Sequence, residues 1–134
     1  MALQYSTTHR TNAMSDIATQ VGTSGVLKIF TGSPPANCGT ADSGTLLASL
    51  TCNASAFGTA SGGVLTANAI SNATAGATGT AGYFRVYPSS PTTTNAVVQG
   101  LIGTSGSDLN LNSTSISSGQ TVSVSSFVIT AFGA

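Results

Sequence analysis

"GTAGYFRVYPSS", residues 79–90, decides how this chain is read. Side chains of a β-strand point alternately to its two faces. Phe84 and Val86 then share one face, and Tyr83, Arg85 and Tyr87 share the other. Pro88 ends the run, because proline has no N–H to give to a ladder. The first face is a natural core face. The second carries one of only three basic residues in the chain, set between two of its three tyrosines. Two readings of that face follow. In one, the guanidinium stacks on the tyrosine rings and its stem covers apolar surface. In the other, Tyr83, Arg85 and Tyr87 form an interface anchor, since tyrosine and arginine are the residues enriched where partners bind.

The same pattern repeats around that strand. "VLKIFTG" (26–32) puts Leu27 and Ile29 on one face and Val26, Lys28 and Phe30 on the other, so this strand is covered on both sides, by a helix, a loop or a neighbouring subunit. Lys28 and Phe30 join the interface candidates. Further strands are expected at 45–52, 62–70, 96–103, 108–112 and 121–132, the last with a bulge at Ser125–Ser126 where the apolar phase shifts. Pro-, Gly- and Asp-rich stretches such as "SPPANCGTADSG" separate them, and 72–80 reads as a loop. Seven or eight short strands with turns between them predict an all-β sandwich or barrel. One element differs. Ala13, Met14, Ile17, Ala18 and Val21 recur at helical spacing and predict a short amphipathic helix over 11–21, capped by Thr11 or Asn12 and stopped by Gly22. The chain is read as one domain, residues 1–134, with an N-terminal segment (1–22) and a β body (23–134).

Composition narrows the function. The 134 residues carry 4% charged side chains, against about 25% in an average soluble domain. Ser, Thr, Ala and Gly make up more than half of the chain, and the net charge is zero. Nucleic-acid binding needs clustered Lys and Arg, so that class is set aside. A mean hydropathy of +0.29 argues against disorder. Little surface charge also favours self-association. "MALQYSTTHR" has neither the basic start nor the apolar core of a signal peptide, and no apolar run approaches the roughly 20 residues of a membrane span.

Catalysis finds little to work with. His9 is the one histidine, in a polar segment expected to be mobile. Asp16, Asp42 and Asp108 are scattered, and Asp42 and Asp108 fall in turns, where aspartate serves backbone hydrogen bonds. No metal tetrad can be assembled from two cysteines and His9, and no cofactor is called for. For Cys38 and Cys52 two readings stand: two small, partly buried thiols, or a disulfide closing a short loop and contributing roughly 3 kcal/mol.

The order of motifs, a short helix, "VLKIFTGSPPA", "GTLLASLT", "GTAGYFRVY" and a closing "QGLIG…DLNLN…ISSGQTVSVSSFVIT", resembles the small structural proteins of tailed bacteriophages, in particular head decoration (cement) proteins. The resemblance spans about residues 10–132. It implies a jelly-roll β-sandwich, no enzymatic activity, and a place on the virion surface, bound to the major capsid protein and to its own copies as a dimer or trimer. A phage tail or fibre component is the nearest alternative. A non-catalytic carbohydrate-binding sandwich, with Tyr83 and Tyr87 stacked on sugar rings, comes from a different class. An ice-binding reading is weak, because no regular Thr-x-Thr array is present.

Overall fold

A computed structural model describes residues 3–134 of the chain. Ser6 opens the helix α1 (Thr7–Val21): its hydroxyl accepts the His9 backbone N–H, which would otherwise lack a partner in the first turn. Gly22 closes it at φ 67°, with its N–H on the Ala18 carbonyl. The helix therefore starts one turn earlier than the apolar pattern indicates, because a polar cap and not the apolar stripe sets its beginning. His9 consequently sits in a helical turn, its ring 4.9 Å from that of Tyr5, and not in a loose tail. Met14 and Val21 are buried, Ile17 and Ala18 are partly covered, and Ala13 faces solvent.

Ten strands follow: β1 (Val26–Thr31), β2 (Leu46–Thr51), β3 (Val64–Thr66), β4 (Ala73–Thr74), β5 (Gly79–Tyr87), β6 (Val98–Gly103), β7 (Leu109–Leu111), β8 (Ser115–Ile116), β9 (Thr121–Val122) and β10 (Val124–Thr130). The all-β fold with one short helix is thus what the chain adopts, as a curled multi-strand sheet. Its order is β2-β1-β5-β6-β7-β10-β3, with β8 added on β5 and with β4 and β9 forming a separate pair. The extra strands are two-residue pieces, too short to leave a periodic signal. The expected loop at 72–80 contains β4 and the start of β5. The expected strand at 62–70 shrinks to β3; its start is lost because Gly62 and Gly63 both take positive φ.

β5 is the centre of the sheet. It pairs antiparallel with β1 on one side and β6 on the other. The registers Lys28↔Arg85↔Gln99 and Phe30↔Tyr83↔Leu101 line up side chains across three strands on one face. Behind them, Leu27, Ile29, Phe84 and Val86 enter the core with Leu65, Leu109, Leu111 and Phe127. Phe127 and Phe84 meet edge to face with ring centres 5.0 Å apart, and Phe127 lies 5.8 Å from Phe57.

Two irregularities shape this sheet. Phe30 pairs with Tyr83 but Thr31 with Ala81, so Gly82 is an extra residue on β5. A Cβ at Gly82 would overlap the Gly32 carbonyl, so only glycine permits that approach. The second is the bulge expected at Ser125–Ser126: Val124 faces Leu111, Ser126 faces Asn110, and Ser125 between them bonds through its hydroxyl to the Asn110 carbonyl. Gly82→Ala is expected to destabilise the fold by about 1–3 kcal/mol, the usual cost of overpacking, seen as a lower urea midpoint with an unchanged slope.

Candidate functional site, a buried arginine beneath a covering loop

Between β1 and β2 the chain runs through 33–45, the Pro- and Gly-rich turn region. Its apolar residues are small or cyclic (Pro34, Pro35, Ala36, Cys38, Ala41), and none of them is deeply buried. Apolar burial cannot therefore be what holds it. It is held by hydrogen bonds from the face of β5 that carries Tyr83, Arg85 and Tyr87.

Arg85 is fully buried, the one charged residue in that state among the described residues. A guanidinium has five N–H donors, and Arg85 makes five hydrogen bonds. Nε donates to Gln99 Oε1 at 3.0 Å, and Nη2 donates to the same oxygen at 2.9 Å and to the Asn37 carbonyl at 3.0 Å. Nη1 donates to Asp42 Oδ1 at 2.8 Å and to the Thr93 carbonyl at 3.3 Å. Asn37 and Asp42 lie in the covering loop, Thr93 in the connection after β5, and Gln99 on β6. One side chain on β5 thus ties together three other segments, of which the covering loop lies 43 and 48 residues away along the chain.

Neighbouring groups complete the seal. Gln99 Nε2 donates to the Pro35 carbonyl at 2.8 Å. Asp42 Oδ1 also accepts the Tyr87 hydroxyl at 2.5 Å, and the Asp42 N–H reaches the Thr93 carbonyl at 3.0 Å. Tyr83 donates its hydroxyl to the Ser43 carbonyl at 2.6 Å and accepts the Ser43 N–H at 3.0 Å. Phe30 stacks on Tyr83, with ring centres 4.9 Å apart and planes 11° apart. Lys28 Nζ lies 5.0 Å from the centre of the Tyr87 ring. The cation over an aromatic face is therefore Lys28, while Arg85 spends its edge on hydrogen bonds.

The structure corrects the interface reading of this stripe. Tyr83, Arg85 and Tyr87 are 0% exposed and Phe30 4%, leaving only Lys28 partly open. The covering loop occupies the place where a partner was expected. Face alternation was right, but a strand with polar residues on one side can still be buried on both. Asp42, read as a turn residue, is instead the counter-ion of Arg85, and its side chain is only 13% exposed. Neither Asp42 nor Gln99 was read from the sequence as a partner of Arg85. The available signal was that a buried arginine demands a carboxylate, and only three acids exist to supply it.

Chemically the cluster is saturated. Burial, and next the bond to the Asp42 carboxylate, push the Tyr87 hydroxyl well above its ordinary range, so it stays a protonated donor. The other acids are engaged elsewhere: Asp16 accepts from Gln20, and Asp108 accepts the Leu101 N–H. No group of three metal-ligating side chains occurs among the described residues.

Cys38 and Cys52 are both free thiols, which sets aside the disulfide. Cys38 lies in the covering loop with its Sγ 3.9 Å from the Val97 carbonyl. Cys52 belongs to the hydrophobic core and anchors its N–H on the Gly25 carbonyl. The fold thus places the two in different layers. Burial pushes the Cys52 thiol up to about 11. No protein-family model, curated protein or solved structure matches this chain.

Two outcomes are expected. Arg85→Met, which leaves the Asp42 carboxylate without its cation, lowers stability by about 3–5 kcal/mol in urea unfolding, and adding Asp42→Leu restores part of the loss. With an aromatic disulfide reagent at pH 8, Cys38 reacts in the native protein. Cys52 reacts only after unfolding, because its thiolate is both scarce and shielded.

Proposed function

We propose that this chain is a non-catalytic structural protein of a virus particle, a decoration protein on the head of a tailed bacteriophage, bound to the major capsid protein. The observation that carries the reading is the saturation of the Arg85 cluster. The polar groups of this cluster, which an enzyme or ligand-binding module would point outward, are here turned inward to fix a surface loop. What the loop then offers is a shaped, nearly uncharged surface.

The rim of that loop supplies contact area. Leu46 pairs with Phe30, Phe30 with Tyr83, and Tyr83 with Leu101, so the two leucines end one cross-strand row whose middle lies under the loop. Leu46 is 42% and Leu101 56% exposed. Apolar side chains flanking a rigid polar loop suit a contact repeated many times on a shell, each weak and strong together. Binding only the mature shell would stabilise that shell by mass action. The carbohydrate reading loses its platform, because both rings it needs, Tyr83 and Tyr87, are enclosed.

Quantitative mass spectrometry of purified particles from a phage encoding this chain tests the proposal. The expected result is a copy number equal to that of the major capsid protein or a simple fraction of it. A handful of copies per particle would move the protein to the tail, and absence from particles would overturn the virion reading.

A further inference from the structure

We infer that two copies of this chain pair about a two-fold axis through α1 and β10, on a face that meets the covering loop only at Cys38. This inference does not rest on the virion reading. A groove of about 490 Å³ runs between α1, the start of β6 and β10, lined chiefly by Met14, Ile17, Val97, Phe127 and Ile129. Phe132 stands at the same groove and is 91% exposed, with Val128 beside the groove at 44%. A phenyl ring left in water forfeits most of what its burial would contribute.

Phe132 is not on a loose end. Its two neighbours are fastened, Ala131 N–H to the Gly63 carbonyl at 2.9 Å and the Gly133 carbonyl to the Tyr5 N–H at 2.8 Å. A side chain held out on fixed backbone gives up little freedom when it is covered. Projection and hollow therefore lie on one face of one molecule, the arrangement that a two-fold contact requires, since each copy then fills the other.

Charge selects the occupant. Asp108 lines the groove at the Phe127 end, because its neighbour Leu109 pairs with Phe127. Arg10 lies outside the groove, beyond its other end: its guanidinium packs near Gly63, whose carbonyl accepts the Ala131 N–H and which precedes the Val64 paired with Thr130. The single ion pair among the described residues is Arg85–Asp42, so Arg10, whose Nη2 donates to Thr7 Oγ1 at 3.2 Å, has no carboxylate partner among them. A two-fold axis across β10 reverses the groove. It brings Arg10 of one copy toward Asp108 of the other, at both ends. A second copy of this chain satisfies the hollow, the projection and both charges together.

Sedimentation equilibrium across the micromolar range tests the pairing. The wild type is expected as a dimer. Phe132→Asp is expected to weaken dimerisation by about a hundredfold, since each dimer loses two covered rings; its melting temperature is unchanged at concentrations where the wild type is also monomeric, because the residue is exposed in the single copy. Arg10→Asp and Asp108→Arg should each weaken the dimer and together restore it. Should Asp108→Arg unfold the chain through the lost Leu101 bond, Asp108→Asn with Arg10→Gln replaces the swap, and this pair must lower affinity. A monomeric wild type, a trimer, or a dimer indifferent to Phe132→Asp each overturns the inference. So does a monomer that binds expanded shells only while Phe132 is intact, which would give this face to the capsid.

Discussion

One buried guanidinium holds the layout of this protein. Removing an ion from water costs several kcal/mol even after the protein relaxes, and only a full set of well-placed acceptors offsets it. Arg85 meets that demand with acceptors from the covering loop, the connection after β5, and β6. Each acceptor must therefore be where it is. Displacing the loop would strand a cation in the middle of a sheet, and shifting β6 by one residue would turn Gln99 to the other face. The arginine thus acts more as a specification of one arrangement than as a source of stability.

The rest of the construction follows from scarcity of charge. A chain with three cations and three anions cannot keep a charged shell around itself. It covers the central strand on both faces instead, with a hydrophobic core behind β5 and a polar-bonded loop in front. The loop is rich in proline, glycine and small residues, so it has little apolar area to contribute. Side chains rooted in the sheet must grip its backbone, as Arg85 does at Asn37, Gln99 at Pro35 and Tyr83 at Ser43. A loop bound through its backbone and through one side chain, Asp42, tolerates changes in its outward side chains.

The two surfaces put forward as contacts differ in kind. The loop with Leu46 and Leu101 is polar with an apolar rim, the character of a contact made and repeated on a larger body. The α1–β10 face is a hollow with a ring beside it and opposite charges at its ends, the character of a contact between like subunits. Both are reached without any group acting as acid, base or nucleophile, and both use residues that the core leaves over.

The sequence by itself determined much of the frame. The strand at "GYFRVY", its end at Pro88, the split of its side chains into two faces, the bulge near Ser125 and the stop of the helix at Gly22 were all legible. Each depends on local periodicity or on the backbone limits of glycine and proline. The two-residue strands, the helix start at Ser6 and the separate layers of Cys38 and Cys52 were not legible, because no local pattern marks them. Nor was the meaning of the tyrosine–arginine stripe. Tyr83, Arg85 and Tyr87 read alike as an exposed anchor or as a covered layer, since alternation tells which residues share a face and not what lies over it. Only the tertiary structure decided that. It brought Asp42, 43 residues away along the chain, to 2.8 Å from the guanidinium, and burial by a distant loop is a property that no window of sequence contains.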